Sequence, residues 1–341
     1  MCYNLDKNNV KEVMLAQFSA CGVDAEQAYI ISEHLIQASL CGIDTHGISL
    51  FKTYLKEFQQ GQANIKPDLK WEREMPVSAL LDADGANGVY AADLAMKKAI
   101  EKAQTTGVGI VVVKNSNHFA AASNYTRLAS DKKLIGMCMS NSDALVALIG
   151  GKDPFLGTNP IAFSAPGKKS SGFDFDMATS QISYTKLSRS IASGEPITPG
   201  WGADKQGVDL AEQKGVFNAL LPLGGYKGQA LGFMVQMLTS VLAEDMPFDH
   251  NMSHLYTEPF DKPRQVSHLM LVIEPGLFME YDKYTERVDL LLELAKEHSP
   301  EGMISGEKER LSKLQRTCHG IPIYEEDIPW FSEIDRSEGV A

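Results

Sequence analysis

The sequence predicts a mixed α/β fold, with an α/β or α+β core in the middle of the chain and a helical layer built from its two ends. Three observations predict it. Short apolar runs of strand character alternate with runs of helical spacing through the middle of the chain. Both ends carry amphipathic runs of helical period. No G-x-G-x-x-G follows a strand and no G-x-x-x-x-G-K-[ST] occurs, so a doubly wound dinucleotide site is not expected.

The elements follow in order. Val10, Val13, Met14 and Phe18 recur at helical spacing. Asp24 with Gln27 reads as a capping box for a second helix through Leu40, and Gly42 supplies a left-handed cap. A loop, Ile43 to Gly47, leads into a third amphipathic run from Ile48 to Phe58. Residues 77–82 have strand character, and a helix over 90–106, rich in alanine and lysine, stops at Gly107. Gly109 to Val113 and Leu134 to Met139 read as buried strands, with a helical run between them after His118. Residues 150–210 are loop-rich, with glycine and proline at many points. Gly224-Gly225-Tyr226-Lys227-Gly228 precedes a long apolar helix from about Gln229 to Leu242. Val266 to Ile273 reads as a buried strand. A helix over 283–297 shows the spacing of Val288, Leu291, Leu292 and Ala295. The acidic tail, Ile323 to Val340, is expected to pack loosely.

The 341 residues leave room for about two domains. Hydrophobic residues make up 44% and charged residues 22%, an ordinary globular balance. A net charge of −12 gives no basic footprint for nucleic acid or for an anionic membrane. No apolar run approaches the ~20 residues that span a bilayer, and the N-terminus lacks the pattern of a signal peptide. The five cysteines (Cys2, Cys21, Cys41, Cys138, Cys318) form no C-x-x-C pair, so neither a disulfide framework nor a thiolate zinc site is indicated. A reduced cytoplasmic enzyme is the simplest class that fits.

The most informative stretch is Asn115-Ser-Asn-His-Phe-Ala-Ala-Ala-Ser-Asn-Tyr125. His118 falls where a strand hands over to a helix, so its ring can project into a cleft. The positive end of the helix dipole would there disfavour the imidazolium. Proton transfer near neutrality suits histidine best; the other reading is a histidine packing at a helix start. The glycines at 224–228 would let a ligand approach free helix N–H groups, with Lys227 adding charge, or would simply make a tight turn. Thr158 and Asn159, in Gly157-Thr-Asn-Pro160, offer a hydroxyl and an amide for a small polar substrate, or form a turn. Asp176 could accept from ribose hydroxyls or cap a neighbouring segment. His46 sits in a loop before a helix. His250 and His254 have the spacing of a helical zinc pair but lack an evident third ligand, so no metal is expected. His34, His268, His298 and His319 have no supporting context.

Together, Asp44-Thr-His-Gly-Ile48, Asn115-Ser-Asn-His118, Gly157-Thr-Asn-Pro160, Asp176-Met-Ala-Thr-Ser180 and Pro222-Leu-Gly-Gly-Tyr-Lys-Gly228 stand in an order that resembles the malate/L-lactate dehydrogenase family. Its members act on malate, ureidoglycolate, sulfolactate, diketogulonate and cyclic imino acids. The resemblance implies a non-Rossmann fold in which 1–75 and 285–341 form a helical domain around a cofactor- and substrate-binding domain, 76–284. It implies NAD or NADP as cofactor, a small-molecule substrate and a homodimer. It implies that His118 exchanges a proton with the substrate oxygen while a hydride moves to or from the nicotinamide. His46 would lie beside substrate and cofactor. Thr158, Asn159 and Lys186 would face the substrate, and Ser142, Asp176, Met177, Ala178, Lys227, Gly228, Ser305, Gly306 and Glu307 the cofactor.

One position departs from the family pattern. Three residues beyond Gly47, where the family has an arginine, stands Leu50. An arginine fork is the natural clamp for a substrate carboxylate. Its replacement leaves three readings: the substrate is anchored by another group such as Lys52, Lys186 or Arg127, it lacks a carboxylate at that place, or activity is impaired, as in a silent dinucleotide-binding relative. Separately, Asn115-Ser-Asn-His-Phe-Ala-Ala resembles the histidine segment of the cyclic imino acid reductases, so reduction of a cyclic imine is the alternative reaction.

Overall fold

The computed structural model describes residues 3–212, 215–255 and 257–331. The chain opens with β1 (Tyr3–Leu5), α1 (Lys7–Ala20) and α2 (Ala25–Leu40). Val10, Met14 and Phe18 are the buried face of α1. Asp24 Oδ1 accepts from the N–H groups of Glu26 at 3.0 Å and Gln27 at 3.2 Å, capping α2. The reciprocal half of the expected capping box is not formed. Gln27 donates instead to the carbonyls of Asn64 and Ile65 and accepts from the Asn87 N–H. A fully buried amide must satisfy its own donors and acceptors, and the neighbouring loops supply them. Gly42 takes the left-handed φ of 77° expected of it.

Two short 3-10 turns, Asp44–His46 and Ile48–Leu50, lead into α3 (Phe51–Gln60). Then come β2 (Lys70–Glu72), β3 (Ser78–Asp82), α4 (Gly88–Thr106), β4 (Val108–Ser116), α5 (Ser123–Asp131) and β5 (Ile135–Ser140). The region expected to be loop-rich holds β7 (Pro154–Leu156), after β6 (Val146–Ala147), then β8 (Ile161–Ala165), β9 (Phe173–Met177), α6 (Tyr184–Ser193) and β10 (Gly202–Ala203). These elements are too short for a clear period. β11 (Ala219–Leu220) precedes α7 (Tyr226–Leu238), which starts earlier than the sequence predicts and takes Lys227 and Gly228 into its first turn. The chain ends with β12 (Val266–Ile273), α8 (Tyr281–His298), α9 (Glu307–His319) and β13 (Ile321–Ile323). The sequence gives no sign of α9 because none of its residues is buried, so no apolar stripe marks it.

Among the described residues the main sheet has seven strands, in the order β2-β3-β4-β12-β5-β8-β9. Only β3 and β4 run parallel, joined through α4; every other neighbouring pair is antiparallel. β12 arrives late in sequence and inserts between β4 and β5, where five consecutive residues, Val266 to Met270, are buried. A second sheet has the order β10-β11-β6-β7. The two ends of the chain meet: Leu5 pairs with Ile321 in an antiparallel ribbon of β1 and β13.

One large core runs from α1–α3 through the main sheet to Ile321, Ile323 and Phe331. The tail therefore does not pack loosely as far as residue 331. Phe331 is 1% exposed, its ring centroid lies 5.8 Å from that of Phe51, and Asp327 pairs with Lys52 at 2.8 Å. The rest of the expected tail lies outside the described residues. Among the described residues no helix is long and apolar enough to cross a membrane.

Candidate active site

A cavity of about 1070 Å³ opens between the Asp44–His46 turn, the segment after β4, the ends of β5 and β9, the start of α6 and the loop before α9. His118 and His46 line it together, with ring centroids 5.7 Å apart. Ser142 and Thr158 form another part of its wall, and the Thr158 N–H donates to Ser142 Oγ at 3.1 Å. Asp176, Met177 and Ala178 line it beyond the sheet, Lys186 from α6, and Ser305 and Gly306 from the loop before α9.

His118 is held from behind. Tyr54, fully buried on α3, places its Oη 2.8 Å from His118 Nδ1 and 3.3 Å from the His118 carbonyl. One arrangement satisfies all of these groups: Nδ1–H donates to Tyr54 Oη, and the Tyr54 O–H donates to the carbonyl. It holds whether Nε2 carries a proton or not, so Nε2 can gain or lose one without rearrangement. The His118 pKa lies well below the ordinary histidine value, chiefly through burial, then through the neighbouring His46, Arg264 and His268. A helix dipole is not the cause. α5 begins only at Ser123, and Asp176 Oδ2 accepts that first N–H at 2.8 Å. Burial raises the Asp176 pKa, opposed by the Ser123 N–H and by His46. His46 Nδ1 meets Thr45 Oγ1 at 2.8 Å, and burial lowers its pKa against the attraction of Asp176.

Four residues expected at the site stand apart from this cavity. Asn159 is wholly buried, and its amide donates to Asp249 at 2.8 Å and to the Gly232 carbonyl at 3.2 Å. It holds the turn that presents Thr158 rather than facing a substrate. Burial pushes the Asp249 carboxyl up to about 6. Glu307 accepts from Lys296 Nζ at 2.7 Å and from the Ile304 N–H at 3.1 Å, closing its own loop. Lys227 is exposed on α7. Gly228 packs against Leu223 and the segment that follows Ala178, where a Cβ would collide with the Leu223 N and come 2.6 Å from the Thr179 carbonyl.

The candidate replacements for an arginine at position 50 are also placed. Leu50 is 2% exposed, packs in the core and does not line the cavity. Lys52 turns to Asp327, and Arg127 is held by Asp174 at 2.9 Å. Of the histidines set aside, His268 bridges Ser140 Oγ at 2.8 Å and Ser116 Oγ at 3.0 Å, and its ring stacks on Phe119, with centroids 4.7 Å apart. It therefore braces the residue beside His118. Burial lowers its pKa to about 3. His250 stacks on Phe155, while His254 lines the cavity 3.5 Å from Asp143. Among the described residues no three metal-ligating side chains cluster. Sequence reasoning missed Tyr54, Asp143 and Arg264, and weighed His254 only as half of a zinc pair. Tyr54 reads only as part of an amphipathic stripe, and Asp143 and Arg264 lie in loops without a pattern.

The cavity volume lies just above the ~300–1,000 Å³ common for ligand pockets. Its hydroxyls, its lysine and arginine side chains and its paired imidazoles suit a nicotinamide dinucleotide with a small polar substrate. Fold and site thus define a dehydrogenase-like protein with a largely antiparallel sheet.

The chain belongs to the malate/L-lactate dehydrogenase family, whose sequence profile matches residues 5–329. It is 34% identical to a malate dehydrogenase of Pyrococcus horikoshii over 98% of this chain and 95% of that one. A solved structure of malate dehydrogenase from Pyrococcus horikoshii superposes with a TM-score of 0.87, covering 100% of this chain and 97% of that chain at 32% identity. The L-sulfolactate dehydrogenase of Methanocaldococcus jannaschii is 33% identical over 92% of this chain and 91% of its own. The solved sulfolactate dehydrogenase from that organism gives a TM-score of 0.90, covering 98% and 96% of the two chains at 31% identity. A Δ1-pyrroline-2-carboxylate/Δ1-piperideine-2-carboxylate reductase of Pseudomonas syringae is 29% identical over 93% and 92%. This protein is an NAD(P)-dependent oxidoreductase with a mixed α/β, non-Rossmann fold.

Proposed function

We propose that the protein interconverts a small 2-hydroxy acid and the corresponding 2-oxo acid, with His118 as general acid and base. The observation that carries this reading is the Tyr54–His118 contact, which occupies Nδ1 and leaves Nε2 for proton exchange in the cavity. When bound, the nicotinamide cofactor supplies or accepts the hydride. In oxidation, Nε2 takes the proton of the substrate hydroxyl; in reduction, it returns one to the new alkoxide oxygen. His46, Thr158 and Lys186 orient the substrate from the facing walls. Ser142, Asp176, Met177, Ala178, Ser305 and Gly306 hold the cofactor, and Lys227 extends its binding surface at the start of α7, where the close packing of Gly228 seats the helix.

Further proposals follow from the same reading. The chain ends, 1–75 with 285–341, form one domain and 76–284 the other, supported by the β1–β13 ribbon. The protein works as a homodimer, which the exposed leucines 290, 291, 294, 311 and 314 of α8 and α9 support. Cytoplasmic residence fits the free thiols of Cys21, Cys41, Cys138 and Cys318.

A second reading, reduction of a cyclic imine, is favoured by the Asn115–Ala121 segment and by the Pseudomonas syringae relative. His118 would serve it equally. Oxidation of NADH and NADPH, followed spectrophotometrically across 2-oxo acids and cyclic imines, tests both. Turnover of a 2-oxo acid supports the first reading; turnover of imines alone replaces it with the second.

A further inference from the structure

Among the described residues five lysine and arginine side chains line the cavity; three of them besides Arg264 are engaged with neighbouring groups, and Arg264 itself also lies 6.0 Å over the Phe260 ring. Arg127 is fixed by Asp174, Lys186 lies 5.5 Å over the Trp201 ring, and Arg189 lies 5.3 Å over that of Tyr324. Lys308 stands by the Ser305 loop. The fifth is Arg264, in the segment before β12, with a side chain only 2% exposed. Its backbone N–H donates to Asn117 Oδ1 at 3.4 Å, next to His118. Nη1 donates to Glu57 at 2.6 Å and Nη2 to the Leu255 carbonyl at 3.0 Å. Nε is buried without an acceptor. A guanidinium has five N–H donors, and leaving a buried one unmet is costly.

We propose that Arg264 is the carboxylate anchor of the substrate site, in a chain whose position 50 is a core leucine. Glu57 and the Leu255 carbonyl hold two nitrogens of the fork, and the substrate carboxylate takes the remaining donors, Nε–H among them. A fork held on one side is pre-organised, so little side-chain freedom is lost when the anion binds. The nearby guanidinium also contributes to the lowered His118 pKa, which places its charge within reach of the reacting centre. The proposal rests on the 2-oxo acid reading above and names the group that selects the acid.

The test uses oxamate, a carboxylate-bearing analogue of pyruvate, titrated into the intact protein with saturating NADH or NADPH. The variants are Arg264→Lys and the double change Arg264→Gln with Glu57→Gln, which leaves no buried charge unpaired. Oxamate affinity should fall about 10- to 150-fold in both, the range for a lost charge-assisted pair, with cofactor affinity unchanged. For a turned-over 2-oxo acid, KM should rise more than kcat falls. Wild-type oxamate affinity in a folded, cofactor-binding variant overturns the proposal and leaves the reaction reading standing. Oxamate binding by the wild type without turnover of any 2-oxo acid overturns the reaction reading, while the variants still decide the role of Arg264. Cofactor binding without oxamate binding in the wild type overturns both.

Discussion

Tyr54 Oη lies 2.8 Å from Nδ1 of His118, and Tyr54 is wholly buried on α3. The helix that carries residue 54 therefore fixes the orientation of the ring. Tyr54→Phe removes the hydroxyl and keeps the packing. It should lower kcat by about 3- to 10-fold and cost about 0.5–1.5 kcal/mol of stability, the usual worth of one hydrogen bond. Steady-state kinetics and thermal melts read the two effects separately, and an unchanged kcat would remove Tyr54 from the mechanism.

His118→Ala should cut kcat by about 10²–10⁴, the usual contribution of a positioned acid or base, and leave cofactor binding intact. Near wild-type turnover would sink the assignment.

The pH dependence has a definite sign. His118 has a pKa well below the ordinary value, chiefly through burial, so near neutrality Nε2 is free of a proton. Oxidation should stay at its plateau through neutrality and fall only as the pH drops through that lowered pKa. Reduction needs the protonated ring and should speed up as the pH falls toward it. Rate profiles in the two directions check this; an oxidation limb above the ordinary histidine range would contradict it.

Leu50→Arg tests whether the family's arginine can simply be restored. Leu50 is 2% exposed in the core, so the new guanidinium would be buried without a partner. A loss of about 3–5 kcal/mol is expected, as for other unpaired buried charges, with no gain in kcat/KM on pyruvate or oxaloacetate. Denaturant unfolding alongside kinetics decides the matter. A stable variant with improved kcat/KM would show that position 50 can turn into the cavity.

Lys227→Ala probes the cofactor surface beyond the cavity. Lys227 is exposed, so its contribution is that of a surface charge. The dinucleotide dissociation constant should rise about two- to fivefold at low ionic strength, and the difference should fade as salt is added. Equal affinities by calorimetry at low salt would leave the Gly224–Gly228 turn with a packing role alone.

Long periodic elements were legible in the sequence because burial on one face writes a repeat into it. β12 runs over the same residues that the apolar run marks, and α2 ends at the expected left-handed glycine. β6, β10 and β11 were not legible, since two residues carry no period. Where a motif puts a polar side chain at an element's end, as at His118 and Asp176, the candidate residue lines the cavity. Asn159 stands away from the cavity, with its amide donating to Asp249. Local sequence could not distinguish that use from a ligand contact, because the partner lies far along the chain. Arg264 was hidden for the same reason: its meaning comes from Glu57 and Asn117, which the fold alone brings to it.

The pairing of Leu5 with Ile321 has a consequence for the order in which the molecule can be assembled. α9 reaches back to the first part of the chain, where Arg316 pairs with Asp44 two residues before His46, and Tyr324 donates to the same carboxylate at 2.8 Å. The Ser305 side of the cavity also comes from this late segment. During synthesis the early helices must therefore wait for nearly the whole chain before their strand finds its mate. Contacts so distant in sequence form slowly, because the loop must close before any of them is rewarded. Catalytic competence should be the last property a newly made chain acquires, appearing after secondary structure is complete and together with the docking of its final sixty or so residues.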